Sequence, residues 1–479
     1  MTGSRPEVAA AETLPALFAA GRPDDPDAVF LEIPGGEPWT YGATWDRAAQ
    51  VANGMRAAGV RPGDRVAVQV EKSPEAILAY LACVRSGAVL LPLNTAYTDD
   101  EVGRLTADAA PALLLRDRSE VAAFAEGQPV ELDDHPVGPD DQAALLYTSG
   151  TTGRPKGAML THRNLASNAA GLHGLWGFRP DDVLLHVLPV FHTHGLFVAT
   201  NCVLANGTRM IFLPRFDPDL VFEHLGRTTV MMGVPTHYTR LLADPRLTTE
   251  ACRSVRLFVC GSAPLLASVH RSFRDRTGKA ILERYGMTET SMISSNPLDG
   301  ERRPGTVGFP LPDVEVRLAD VDAEGVGGVE VHGPNVFSGY RGRPDLDASE
   351  FRPDGFFRTG DLGTLDDDGY LRIVGRTKDL VISGGLNVHP TEVEEAINAL
   401  DGVLESAVVG LPDTDLGEAV VAVVVARPGA TLDPDRMRTA LRAGLAGFKV
   451  PKRVVLLDEL PRNAMGKVEK AILRTLLTS

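Results

Sequence analysis

Cysteine is scarce in this chain: four among 479 residues, Cys83, Cys202, Cys252 and Cys260. None stands in a CxxC pair or beside a histidine cluster, which excludes a disulfide scaffold and a zinc-finger fold. Four buried free thiols in a reducing compartment are expected. Long apolar runs are also missing. The longest, 76–84 and 420–426, fall short of the roughly 20 residues that a membrane-spanning helix needs. Residues 1–12 show no basic stretch followed by an apolar one, so no export signal is expected and the reading is cytoplasmic. Basic residues are outnumbered, 48 Lys and Arg against 63 Asp and Glu, for a net charge of −15. That balance argues against nucleic acid as a principal partner, because phosphate binding needs clustered cations. It also means that an anionic substrate must find a local basic site within a repelling field.

What remains is an ordinary globular composition, 44% hydrophobic and 23% charged. At roughly 100–200 residues per domain, the length suggests two to four structural units. Short Val/Ile/Leu runs alternate with amphipathic segments, the pattern of βαβ units and a largely parallel sheet. Strands are expected at 64–70, 183–188, 229–234 and 255–260. Ser73-Pro74 supplies an N-cap and a first-turn proline for a helix to Ser86, closed by Gly87. Further helices are expected at 195–205, from Pro235-Thr236 onward, and at about 264–277. Residues 119–141 carry no motif and read as a connecting segment. Past Gly305 the texture turns to Val, Gly and Pro without helical period, a small β-rich layer over about 305–376. A βαβ-type pattern resumes with a helix at 390–400, a strand at 419–426, a helix at 433–446 and a strand at 453–457. The fold class is therefore α/β. A large N-terminal domain of parallel-rich sheets (1–377, including the β-rich part) is followed by a small, mobile α+β C-terminal domain (378–479).

One loop carries an unusual concentration of phosphate-binding chemistry. Tyr147-Thr-Ser-Gly-Thr-Thr-Gly-Arg-Pro-Lys-Gly157 follows the apolar run 143–146 and holds four hydroxyls (Thr148, Ser149, Thr151, Thr152), three glycines and Lys156. Glycines such as Gly150 and Gly153 let backbone N–H groups approach a polyphosphate, hydroxyls donate further bonds, and the lysine brings charge. The GxxxxGK[ST] register fails at Pro155, which excludes a kinase-like P-loop enzyme.

The segment resembles the phosphate loop of the adenylate-forming superfamily: acyl-CoA synthetases, luciferases and peptide-synthetase adenylation domains. Four more segments resemble that superfamily in the expected order. In Glu283-Arg-Tyr-Gly-Met-Thr-Glu-Thr290 the resemblance implies that Glu283, Arg284, Tyr285, Gly286 and Met287 line the ATP/AMP site. There Thr288 would contact the α-phosphate and Glu289 would hold Mg²⁺. In Gly355-Phe-Phe-Arg-Thr-Gly-Asp361 the carboxylate of Asp361 would accept from the ribose hydroxyls. Arg376 would reach the same ribose, Lys378 would be the hinge, and Ser383, Gly384 and Gly385 would form the CoA-binding loop. In Pro461-Arg-Asn-Ala-Met-Gly-Lys467, Lys467 would be the catalytic lysine that enters the adenylation site. The implied cosubstrates and cofactor are ATP, CoA and Mg²⁺, and the implied partners are small molecules. A lysine acetyltransferase acting on Lys467 would be the one protein partner.

The acid is constrained by other residues. His192 matches a family position that gates the acyl pocket, and Ser262 and Ala263 follow Gly261 near the presumed site. Thr236 and Arg240 are i, i+4 on the helix opened by Pro235 and share a face. An arginine buried in an acyl pocket is costly unless paired, and a second substrate carboxylate would pair with it. Residues 71–76, 91–97, 192–198, 233–242 and 283–296 also resemble malonyl-CoA synthetases, over about 27–475. That resemblance implies malonate, with methylmalonate as a second candidate, and Arg240 on the distal carboxylate, with Arg284 as a second basic candidate. The rivals are a CoA ligase for another short or aromatic acid, and an adenylation enzyme that loads a carrier protein. A catalytically retired homologue is disfavoured by the presence of Lys467 and Glu289.

Overall fold

The computed structural model describes residues 6–148, 156–462 and 467–478. By proximity of its Cα atoms the chain divides into two compact units, 1–316 with 331–357, and 317–330 with 358–479.

The first unit holds two parallel-rich sheets. In one, six strands run parallel in the order Val29–Glu32, Arg209–Phe212, Val183–His186, Val230–Gly233, Leu257–Cys260, Leu282–Met287. Antiparallel strands Ser291–Ser295 and Phe309–Pro310 extend one edge, and Trp39–Thr40 closes the other. The second sheet runs Leu113–Leu115, Arg65–Val68, Val89–Pro92, Gln142–Thr148 in parallel, then Lys156–Thr161 antiparallel. These strands are buried on both faces, so their sequences read as continuous aliphatic runs rather than alternations.

The helices begin where capping chemistry permits. Pro74–Ser86 starts with the Ser73 hydroxyl accepting from Ala76 N at 3.4 Å and ends at Gly87 in the left-handed region, φ 72°. Asp99–Ala109 opens with a capping box between Thr98 and Glu101. Within the segment expected as plain connection lies a helix, Arg118–Ala123, capped by Asp117. The helix expected over 195–205 has two parts: a π-helical turn, His194–Thr200, then the α-helix Asn201–Asn206. Wider π turns free a carbonyl from the regular ladder. Here the Gly195 carbonyl accepts instead from the Thr200 hydroxyl at 2.9 Å and contacts His186 Nε2 at 2.8 Å.

In the second unit, strands Val403–Asp413 and Gly417–Ala426 pair antiparallel along their whole lengths, and Arg453–Leu457 joins the latter in parallel. Period-two alternation sorts their side chains. Val408, Val420, Ala422 and Val424 meet Val393, Ile397, Met437 and Leu441 from two helices. Ala407, Val409, Val421 and Val423 meet Leu473 from the C-terminal helix on the opposite face. A four-stranded sheet consists of Glu315–Ala319, Gly327–His332, Phe357–Leu365 and Leu371–Arg376. Residues 317–330 and 358–376 of it fall within the second unit, whereas the sequence boundary near Lys378 assigns them to the first domain. One physical reason is the ion pair that ties Arg372, on the last of these strands, to Glu395 on the helix Pro390–Asn398. All four cysteines are buried and free, as expected. No helix of the described residues is long and apolar enough to cross a membrane.

A Cβ at Gly195 would run into the carbonyl oxygen of Pro189, which only backbone movement could relieve. Gly195→Ala should therefore lower stability by about 1–3 kcal/mol, the usual range for overpacking, measured by urea unfolding. An unchanged midpoint would contradict the tight approach.

Candidate active site

The elements of the first unit expected to hold the nucleotide meet around one carboxylate. Strands Gln142–Thr148 and Lys156–Thr161 form a hairpin in which Thr148 and Lys156 are register partners. Ser149, Gly150, Thr151, Thr152 and Gly153 lie outside the described residues. Glu283, Arg284, Tyr285, Gly286 and Met287 occupy the strand Leu282–Met287, and a tight turn containing Thr288 and Glu289 leads into Ser291–Ser295. Gly286 is required there, because a Cβ would collide with the carbonyl of Ser291 in the returning strand. Glu289 is 5% exposed. Its Oε1 accepts from the Tyr340 hydroxyl at 2.9 Å and, more weakly, from the Thr148 hydroxyl at 3.4 Å. Lys156 Nζ pairs with Glu350 Oε1 at 2.8 Å and stands over the Tyr340 ring. The other Glu350 oxygen takes a 3.1 Å contact from the same Tyr340 hydroxyl.

This arrangement suits a hard cation. The donors are oxygens, and no cluster of three or more His, Cys, Asp or Glu ligands exists among the described residues. Such a set fits Mg²⁺ held by one carboxylate and completed by substrate phosphates and water. Glu289 would hold the ion, which when bound neutralises charge on the phosphates.

In the second unit, Asp361 and Arg376 are brought together as register partners on antiparallel strands, with Nε to Oδ1 at 2.9 Å. Asp361 is buried and Arg376 exposed. Lys378 sits in the single 3₁₀ turn Thr377–Asp379 that follows. Ser383 is buried, and Gly384 and Gly385, with φ 61° and 77°, form the turn between strands Val381–Ser383 and Leu386–Val388. Both glycines hold left-handed conformations that other residues adopt only with strain. Lys467 is exposed, next to the bridge between Arg462 and Val468.

The expected acid-binding residues are placed differently from one another. His192 is half-buried and its Nδ1 accepts from His194 N at 3.3 Å; Ser262 and Ala263 are half-buried. Ser262 holds φ 72°, and its hydroxyl lies 3.2 Å from His194 Nδ1. Arg240, by contrast, is exposed on the helix Pro235–Ala243 and makes no ion pair among the described residues. The buried residues of that helix are Tyr238 and Leu241. The enclosed guanidinium is that of Arg284, 3% exposed, lying so close over Gly261 that a Cβ there would stand 2.5 Å from its central carbon. Its Nη2 is 3.5 Å from the Ser262 hydroxyl, and its Nε has no partner. Burial lowers its pKa to about 10, which leaves it cationic at neutral pH.

Four groups that the sequence reading did not select line the same region or its flank. Lys72 donates to the carbonyl of His186 at 2.8 Å and stands 4.5 Å over the Phe212 ring. The His237 ring stacks on Phe216 at 4.0 Å. Burial, with neighbouring cations second, holds the His186, His194 and His237 imidazoles below their ordinary pKa, His237 at about 3. Lys72 stands in the Glu71-Lys-Ser-Pro run and His194 beside the selected His192, so proximity in sequence was the available signal.

Residues 17–341 match the AMP-binding enzyme family and 392–467 its C-terminal domain. A feruloyl-CoA synthase from Amycolatopsis sp is 40% identical over 464 residues, covering 92% of this chain and 94% of that protein. A mitochondrial malonate–CoA ligase from Mus musculus is 35% identical, covering 90% of this chain and 85% of its own length. The structure of ATP-bound MatB from Rhodopseudomonas palustris superposes with a TM-score of 0.94 at 49% identity, covering 97% of this chain and 99% of that one. The chain belongs to the AMP-binding enzyme family. It is an AMP-forming acid–thiol ligase, joining a carboxylic acid to CoA through an acyl-adenylate with ATP and Mg²⁺.

Because His237 and the buried His162 have pKa values near 3 and 4 when folded, against 6.5 ordinarily, the unfolded chain binds protons that the folded one refuses. Stability should thus fall as pH drops below about 6.5, by up to about 1.4 kcal/mol per pH unit for each imidazole. Urea titrations from pH 7 to 4 measure this. His237→Gln should make the slope shallower, and an identical slope would refute its contribution.

Proposed function

We propose that the acid is malonate, with methylmalonate as a second substrate, and that the product is malonyl-CoA. The observation that supports this most is the enclosed guanidinium of Arg284 beside Ser262, which makes no direct ion pair among the described residues and whose Nε has no partner. A buried cation that makes no direct ion pair is costly even with the Glu283 carboxylate nearby, and a substrate bearing a second carboxylate would pair with it in a fork geometry. On this reading Arg284 takes the distal carboxylate rather than the nucleotide, with Ser262 and His192 beside it. Arg240, exposed yet near enough to lower the His237 pKa, acts at the mouth. The feruloyl-CoA synthase likeness supports the rival, an aromatic acid. A ferulate ring, however, carries only neutral acceptors and would leave Arg284 without a counter-charge.

The chemistry has two steps. The acid carboxylate, already a nucleophile at pH 7, attacks the α-phosphorus of ATP and pyrophosphate leaves. The CoA thiol then attacks the acyl carbon and AMP leaves. No protein base is needed in the first step, so these side chains orient and neutralise. Thr148, Lys156 and Thr288 would hold phosphates, and Asp361 with Arg376 the ribose. Lys467 would serve adenylation, and the Gly384-Gly385 turn would admit the pantetheine arm after rotation about Lys378. Since Lys467 is exposed, acylation by a lysine acetyltransferase would remove its charge.

Pyrophosphate release with malonate, methylmalonate, succinate, sulfoacetate, acetate, butyrate and ferulate tests the acid. Malonate should be preferred over acetate and butyrate, and Arg284→Met should lower malonate kcat/KM roughly 10²-fold, the loss of about 3 kcal/mol of charge pairing. A preference for ferulate, or an unchanged malonate KM in that variant, would sink the assignment.

Lys467→Ala should reduce adenylation at least about 10²-fold while leaving thioester formation from supplied malonyl-AMP within a few-fold. Equal loss in both half-reactions would contradict a lysine that serves one step.

A further inference from the structure

Glu350 matches none of the motifs above, yet it is bonded to Lys156 of the phosphate loop and to Tyr340. It ends the helix Pro344–Glu350, where a carboxylate meets the negative end of the peptide dipoles and gains no support from its own helix. Its partners come from elsewhere. One oxygen takes Lys156 Nζ at 2.8 Å and the other the Tyr340 hydroxyl at 3.1 Å. Both partners are fixed by backbone. Tyr340 bridges Ala158, Arg341 N donates to the carbonyl of Gly157, and Met159 N donates to that of Gly339. The segment carrying Tyr340 is therefore laced to the strand that begins with Lys156. The Tyr340 N–H in turn donates to Asp347, on the same helix as Glu350.

Tyr340 has one proton and two carboxylates within reach, Glu289 at 2.9 Å and Glu350 at 3.1 Å. A phenol donates fully to one acceptor at a time, so what Glu350 receives from Lys156 decides what Glu289 receives from Tyr340. Burial and the two carboxylates push the Tyr340 hydroxyl above its ordinary pKa, and it stays protonated.

We propose that Glu350 is a positioning residue of the nucleotide site, which holds the Lys156 ammonium against the pull of the ATP phosphates and couples its release, through Tyr340, to the hydrogen bonding of Glu289. The proposal rests on the reading of Lys156 as a phosphate-binding residue. ATP and pyrophosphate compete with Glu350 for that ammonium, so Glu350 limits how tightly both are held and favours departure of pyrophosphate.

The test is calorimetric binding of ATP, and separately of inorganic pyrophosphate, to the full chain without acid, CoA or Mg²⁺. Glu350→Gln should tighten both three- to tenfold. In steady state KM for ATP should fall, and kcat should fall with it as pyrophosphate leaves more slowly. Glu350→Asp, which keeps the charge, should return both affinities to within twofold of the parent. In a Lys156→Gln background the change at Glu350 should have no effect. Unchanged or weakened binding in Glu350→Gln overturns the proposal, as does a gain that persists without Lys156. Glu350→Ala provides the same comparison if the glutamine variant does not fold. If the parent binds ATP but releases no pyrophosphate with any acid, it is the ligase reading that fails, and the binding comparison still decides the role of Glu350.

Discussion

A guanidinium removed from water and making no direct ion pair among the described residues is the constraint around which the first unit is arranged. Arg284 reaches its place because Gly261 has no side chain to obstruct it and because its own strand pairs with Leu257–Cys260 on one side and Ser291–Ser295 on the other. The neighbouring carboxylate of Glu283 favours the charged guanidinium through space, while its Oε1 accepts from Leu265 N at 3.0 Å and so holds the turn that carries Ser262. Burying a cation without a direct ion pair is costly, the Glu283 charge offsets only part of it, and a substrate carboxylate would compensate the rest. The surrounding imidazoles fit the same logic. Burial and neighbouring cations hold them neutral, so they neither add to the positive charge nor cancel it.

Much of this was legible in the sequence where the cause is local. Ser73-Pro74 and Gly87 bound a helix by capping chemistry that acts over three or four residues, and the structure begins and ends it there. The β-rich layer over about 305–376 could be expected because Val, Gly and Pro recur there without helical period, and the structure holds a four-stranded sheet over 315–376. Other features depend on approach through space. The π turn at His194 arises where Gly195 packs against the Pro189 carbonyl, a contact that no helical periodicity encodes. Glu350 meets Lys156 across 194 residues, and a single acid among 63 offers no signal of that. The i, i+4 argument correctly put Thr236 and Arg240 on one helix face. It could not say that Tyr238 and Leu241 take the core side, leaving Arg240 exposed and the buried cation to a strand.

The two basic groups of the first unit are managed in opposite ways, and the difference follows from what each is proposed to bind. Lys156 is already paired with Glu350, the two side chains 17% and 25% exposed respectively, so the interaction is partly screened by water. A triphosphate carries several negative charges and arrives with Mg²⁺, enough to displace one half-exposed carboxylate. A single distal carboxylate on a short acid has no such advantage. Against a protein carboxylate already seated on Arg284 it would exchange one ion pair for another and gain little, least of all in a chain of net charge −15. The site for the weaker anion must therefore be kept unpaired and dry, where one charge pair is worth most, and its stability deficit carried by the fold. A site for the polyanion tolerates an internal occupant, which on the proposal above would hasten the release of pyrophosphate.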